Sequence, residues 1–389
     1  MLSLFPFTPL PLYSYKKREV ALKRTVTKFL SVVGLACAVI LSHTAFGGDK
    51  TRTFTDMMGR KVTVPDPLTR VALLGGPTGQ VAYILGARSQ LCAITKSLKS
   101  SELVNLMDPS VKDLVAPRSV SGQVNVEELI VADPQLVIAG DLDGSLVERK
   151  TRIPVAYLKS DMNQSAEMLK QEIRFYGMVF GKQERAEKYI QYLQKTMDLV
   201  QSRTKDIPGN KRKVVFNGYS ANHLVTLGGD TFMQRQIALA GCRNAAETIL
   251  TSGTREGGLH TGLAEVSMEK VLGWNPDILV IDFGKTDDVF NDPKWKSITA
   301  VRNKAVYTQP IGIFIWDRPT AESAVLHPLW LAKTAYPDRF ADINMMQEIK
   351  KFYREIMSFN LTDDQADGVL KARYTLNIMS GKADRKAGK

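Results

Sequence analysis

Groups that do chemistry are scarce in this sequence. Its 389 residues include four histidines and three cysteines. No Cys-x-x-Cys pair, His-Glu-x-x-His helix or Gly-x-Ser-x-Gly elbow occurs, so a closed zinc site, a zincin and a serine hydrolase of that type are excluded. GGPTGQ, from Gly75, begins like a phosphate loop but lacks the Lys-Ser/Thr that would hold phosphate and magnesium. Cys92 (in QLCAIT) and Cys242 (in LAGCRN) each lie in an apolar stretch. They read as two buried free thiols and not as a disulfide framework. A Gly/Ser-rich linker is missing too, so no loosely tethered domains are expected.

A broad basic surface is also lacking, despite a net charge of +12. Residues 1–48 carry six Lys/Arg against one Glu, and residues 371–389 carry six against one Asp. Those two ends hold all but +2 of the charge, which argues against nucleic-acid binding. The N-terminal share has its own explanation. Lys16-Lys17-Arg18, Lys23-Arg24 and Lys28 precede the apolar run FLSVVGLACAVIL and the small residues of SHTAFGG. That order is a secretory signal over residues 1–47, cut after Ala45 or Gly47. The run is too short to span a bilayer. Cys37 sits inside it, which argues against a lipid anchor. The mature chain is therefore expected to be exported to the periplasm.

What is present is an alternation of apolar strands and helices, stated twice. RVALLGG, QLCAIT, QLVIAG and IPVAYL read as buried strands separated by helices, and the pattern restarts at KVVFNGY and runs through DILVIDF and AVYTQPIG. Near-continuous apolar strands between helices indicate parallel sheets covered on both faces. The segments VNVEELIVADPQLVIAG, from Val124, and VSMEKVLGWNPDILVID, from Val266, align without a gap. Each places a glutamate, Glu127 or Glu269, just inside a helix capped by Asn125 or Ser267. The expected fold class is α/β: two Rossmann-like lobes with mostly parallel sheets, joined by a long backbone helix, with a ligand cleft between them. The expected boundaries are residues 48–162 for the first lobe, 163–206 for the connecting helices, 207–336 for the second lobe and 337–389 for the C-terminal helices and basic tail. The connecting segment has Leu169, Ile173, Tyr176 and Phe180 on one face and, after Gly181, continues at helical spacing to Val200. The last residues, from Met379, read as disordered.

In open α/β sheets ligands bind beyond the carboxyl ends of the strands. The loops there contain Thr78, Arg118, Tyr219, Arg255, His260, Trp316 and Arg318. Arginine suits anionic chelates, because its planar fork pairs with two oxygens at once. Tyr219 and Trp316 suit stacking on a planar ligand, and His260, in a Gly-rich loop, is the candidate metal ligand. Trp316 and Tyr219 have core packing as the alternative, and Arg318 has pairing with Asp317.

Together RTFTDMMGRKVTVPDPLTRVALLG, NVEELIVADPQLVI, SMEKVLGWNPDILVI, NDPKWKSITAVRNKAVYTQP and FIWDRPTAESAVLHPLWLAKTAYPDRF carry a resemblance. From about Arg52 to Leu370 the chain resembles the periplasmic substrate-binding proteins of ABC importers for iron–siderophores, haem and cobalamin. That resemblance implies a monomeric binding protein, not an enzyme, with no resident cofactor. It would hand a metal chelate, iron and a ferric siderophore first, to an ABC permease and its ATPase. Haem, cobalamin, a nickel chelate and molybdate are the alternative cargoes. It also implies that Glu127 and Glu269 dock into arginine pockets of the permease. The rival classes are a chelatase-like metal-dependent enzyme and a receptor-signalling scaffold.

Overall fold

The duplicated phrase folds the same way in both places. The computed structural model describes residues 50–75, 79–118, 124–159, 164–250 and 263–374, so residues 1–47 and the tail from Met379 lie outside it. The helices Val126–Val131 and Met268–Trp274 are capped as their sequences suggest. Asn125 Oδ1 accepts from the N–H groups of Glu127 and Glu128 at 3.1 and 3.2 Å, and Ser267 Oγ accepts from Lys270 N–H at 3.3 Å. Backbone donors that the first turn leaves unpaired are thereby satisfied. Each helix then breaks at a left-handed residue, Asp133 (φ 47°) or Asn275 (φ 42°). Short polar side chains tolerate that conformation, and the prolines that follow, Pro134 and Pro276, prevent the helix from continuing. Matching strands come next, each buried along its whole length.

Beyond a short antiparallel hairpin of β1 (Thr51–Thr55) and β2 (Lys61–Pro65), the first sheet contains β3 (Val71–Leu73), β4 (Leu91–Thr95), β5 (Val115–Arg118), β6 (Leu136–Ala139) and β7 (Val155–Tyr157). Their spatial order is β5-β4-β3-β6-β7, and every pairing is parallel. The chain moves outward from β3 to β5, then returns across β3 to β6, so a crevice opens beyond the carboxyl ends of β3 and β6. The second sheet is built around β8 (Val214–Ser220). β12 (Ile278–Ile281) pairs parallel with it, and β13 (Val306–Thr308) pairs parallel with β12. Its other edge differs from the expected parallel restart. β9 (His223–Leu227) folds back antiparallel on β8, β11 (Leu263–Glu265) adds antiparallel to β9, and the two-residue β10 (Arg243–Asn244) lies parallel to the start of β8. The hairpin arises because only Ala221-Asn222 separates β8 from β9, which leaves no length for a crossover helix.

Alternation along the strands divides the core. Val71, Leu73, Leu136, Ile138, Ile278 and Val280 face one large cluster that also contains Ile173, Tyr189 and Leu193 of the connecting helices. Their neighbours turn the other way, Ala72, Val137 and Ala139 into a cluster outside the first sheet, Leu279 and Ile281 into one outside the second. This two-residue period is what a pleated strand with both faces covered requires.

The connecting segment is two helices. Ser165 caps Ala166–Phe180, which ends at Gly181 (φ 66°), and Gln183–Thr204 follows as a 22-residue helix, about 33 Å long at 1.5 Å per residue. Gly177 permits their close approach, since a Cβ there would lie 2.7 Å from that of Ala186. The long helix holds both halves of the chain. The Arg185 guanidinium donates to Ile84 O at 2.8 Å and Ile356 O at 2.7 Å, and Tyr189 OH donates to Ala321 O at 2.7 Å. Helices Ala321–Ala335, Met345–Glu355 and Asp363–Leu370 close the structure.

Candidate functional site

A polar cluster is assembled at the carboxyl ends of the second sheet's central strands. The backbone ladder fixes their positions first: Asp282 N–H donates to Gly218 O at 3.0 Å, Phe283 N–H to Tyr219 O at 2.9 Å and Gln309 N–H to Ile281 O at 2.8 Å. Asp282 stands immediately after the apolar strand β12, and Asn217 Nδ2 donates to its Oδ1 at 2.9 Å. The chain leaving β13 then doubles back. Gly312 N–H donates to Phe314 O at 3.0 Å, and Trp316 N–H to Pro310 O at 3.1 Å. This tight loop delivers Asp317 and Arg318 to the cluster.

One guanidinium pairs with Asp317 and acts through its charge on Asp282. Arg318 Nε lies 3.3 Å from Asp317 Oδ1, near enough for an ion pair although neither atom makes an aligned hydrogen bond. Burial pushes the Asp282 carboxyl well above its ordinary range, and the Asp317 charge adds to the effect. Asp317 is also raised by burial, against the opposing pull of Arg318. Among the described residues nothing hydrogen-bonds the Nη fork of Arg318, whose side chain stays 30% exposed. The arrangement presents a guanidinium able to grip two oxygens of an anion, beside Asp282, where burial disfavours the charge that would repel one.

Tyr219 is half-buried at the rim, its ring 4.7 Å from Phe283 and 5.3 Å from His223 between centroids. Burial raises its phenol, so it is a neutral aromatic surface. Trp316 departs from the expectation of a ligand-stacking residue. Its side chain is fully buried in the large core with Ile313 and Phe314, because the backward fold of the loop turns the ring inward. Arg118, at the end of β5, is ion-paired with Asp143 in the first turn of the helix Asp141–Lys150 that follows β6. It bridges two loop regions on the crevice edge of the first sheet, and its charge is partly committed. Thr78, Arg255 and His260 lie outside the described residues. Among the described residues no three His, Cys, Asp or Glu side chains stand close enough to hold a metal ion.

Glu127 and Glu269 are both exposed, each in the first turn of its helix. A large aliphatic stands three residues beyond each, Ile130 at 53% and Leu272 at 37% exposure. Hydrogen bonds from the backbone and Ser267 hold the Glu269 carboxyl below its usual value. The two thiols of the described chain are free, Cys242 buried and Cys92 partly so. Asn217 and Asp282, which join Asp317 and Arg318 in the polar cluster, were not anticipated from the sequence. The available signal was a charged residue ending the apolar run DILVI, where a core strand would carry none.

Two α/β sheets with a crevice on their carboxyl edges, a stiff connecting helix and a polar cluster at that edge define a bilobal solute-binding architecture. The chain belongs to the periplasmic binding protein family, whose description matches residues 78–310. It is 25% identical over 363 residues to the molybdate-binding protein MolA of Haemophilus influenzae, covering 87% of this chain and 99% of that protein. The structure of MolA bound to molybdate superposes with a TM-score of 0.69 at 24% identity, covering 80% of this chain and 99% of the other. A periplasmic solute-binding protein from Veillonella parvula reaches 0.71 at 25% identity, covering 85% and 99%. All are named for binding, none for catalysis. Among the described residues no helix is long and apolar enough to cross a membrane.

Proposed function

We propose that this protein is the exported, periplasmic component of an ABC importer and that its cargo is a small metal-bearing oxyanion of the molybdate type. The observation that carries the reading is the Arg318 fork, unpartnered among the described residues and set beside Asp282 and Asp317 where three parallel strands end. A tetrahedral oxyanion would take two hydrogen bonds from the guanidinium, beside an Asp282 carboxyl whose burial disfavours its charged form. The likeness to MolA over nearly that protein's whole length supports the same choice. The metal arrives as cargo, so no resident cofactor is invoked. The lobes would meet the permease through Glu127 and Glu269, with the boundaries given above.

A ferric siderophore, the cargo that the sequence resemblance puts first, is the second reading. The half-buried Tyr219 with Phe283 and His223 favours it, as an aromatic wall for a planar organic chelate. Calorimetric titration separates the two. Sodium molybdate is expected to bind the mature chain and to bind Arg318→Ala at least tenfold more weakly, the scale of one lost charge-assisted hydrogen bond. Binding of a ferric hydroxamate with no heat from molybdate would reverse the order of the two readings.

A further inference from the structure

The loop that presents Asp317 and Arg318 is held by side chains from the other half of the chain. Gln80 is the first residue of the helix Gln80–Ile84, directly after the loop that leaves β3. Its Oε1 accepts from Glu322 N–H at 3.1 Å. Glu322 in turn grips the cargo loop, its Oε2 accepting from Ile313 N–H at 3.0 Å and its Oε1 from Tyr353 OH at 2.6 Å. The Ile313 carbonyl is also held, accepting from Ser101 Oγ at 2.8 Å, and Ser101 caps the helix Glu102–Met107 beside the first sheet. Gln80, Ser101, Ile313, Glu322 and Tyr353 are all fully buried. Gly312 seals the arrangement, since a Cβ there would sit 1.8 Å from Glu322 Oε1.

A buried carboxylate with no cation beside it is costly. This one holds geometry: its oxygens accept from the Ile313 N–H and the Tyr353 hydroxyl, and its own N–H reaches across to the first half. We propose that the Gln80–Glu322–Ile313–Ser101 relay is a latch that fixes how the two lobes sit against each other and so aims Arg318 into the crevice. Gln80, Ser101 and Glu322 are positioning residues that touch no cargo. The assignment rests on Arg318 being the cargo-gripping group.

Distances between lobes test the latch without cargo. Spin labels are placed on cysteines introduced at Arg149 and Lys296, in the mature chain carrying Cys92→Ser and Cys242→Ala, and read by pulsed electron resonance. The unaltered latch is expected to give one narrow distribution. Gln80→Ala and Ser101→Ala each broaden it, and Ser101→Thr, which keeps the hydroxyl, restores it. Tyr353→Phe also strips Glu322 of a partner but spans no lobes, so it lowers the melting temperature and leaves the distribution narrow. A folded Gln80→Ala/Ser101→Ala protein with the unaltered distribution overturns the latch. If that double variant does not fold, equal distributions for Ser101→Ala and Ser101→Thr overturn it instead. In calorimetry with sodium molybdate, latch variants bind about tenfold more weakly when the competent arrangement falls to about a tenth of the population. Full molybdate affinity in Arg318→Ala would refute the cargo reading alone, because the label distances do not depend on it.

Discussion

Gly312 has no space for a side chain, and this makes it a sharp probe at the scale of single residues. A methyl group there meets Oε1 of a buried carboxylate whose two oxygens are each already held by a donor, Oε1 by Tyr353 OH and Oε2 by Ile313 N–H. Gly312→Ala is therefore expected to destabilise the fold by about 1–3 kcal/mol, the usual range for overpacking, measured by urea unfolding. Stability equal to the parent would mean that Glu322 is not fixed as described. Residue identities were only partly legible from sequence. Arg318 and Tyr219 were singled out because arginine and tyrosine after a strand are chemically conspicuous. Trp316 stayed open between stacking and core packing because position in a loop says nothing about which way a ring turns, and here the backward fold of the loop turns it into the core. Glu322 and Gln80 gave no signal, since partners 242 positions apart along the chain meet only in the fold.

At the scale of elements, the doubled helix–turn–strand unit was the most readable part of the chain. Its caps, its left-handed stop and its proline are local instructions, so they survive without knowledge of the tertiary structure. Asn275 is the most constrained of these positions, with φ 42° and an Oδ1 that accepts from both Thr299 N–H and Oγ1 at 2.9 and 3.0 Å. Asn275→Ala is expected to cost about 1–2 kcal/mol, from the left-handed penalty together with the lost bonds. Asn275→Gly should lose less than Asn275→Ala, because glycine keeps the backbone free; a larger loss in the glycine variant would contradict this account of the turn. The antiparallel β8–β9 hairpin was not legible. Its two-residue connection contains neither glycine nor aspartate, and an apolar strand reads alike whichever direction its partner runs.

For the whole molecule, buried acids tie stability to pH. Burial pushes Glu172, whose Oε2 accepts from Gln164 Nε2 at 2.7 Å, up to about 7, and Glu322 likewise to about 7. Both lie above the unfolded value of 4.5, so between those limits the folded chain holds more protons than the unfolded one, and stability falls as pH rises from about 4.5 to 7. His327 acts in the opposite sense: burial lowers it to about 3, which removes stability as pH drops below 6.5. Comparing Glu172→Gln with the parent isolates one contribution. The variant is expected to gain relative stability by roughly 2–3 kcal/mol on going from pH 5 to pH 8, an upper bound set by the size of the shift. A constant difference across that range would show that Glu172 titrates normally.

Also at this scale, Glu127 and Glu269 stand 142 positions apart in sequence, on corresponding helices of the two halves, each exposed with an aliphatic three residues on. Reversing both charges to lysine is expected to abolish cargo-stimulated ATP hydrolysis by the reconstituted transporter while molybdate affinity stays within about twofold, since exposed rim charges contribute mainly to partner recognition. Equal loss of affinity would place these residues in the cargo site instead.

What the crevice carries, on the proposed reading, is a metal-bearing oxyanion. The most direct measurement is elemental and organic mass spectrometry on the protein purified from its native periplasm. Molybdenum, or a chemically similar oxyanion-forming metal, is expected at close to one atom per chain, and is expected to be lost in Arg318→Ala. A chain that carries a neutral organic solute and no metal would contradict that reading.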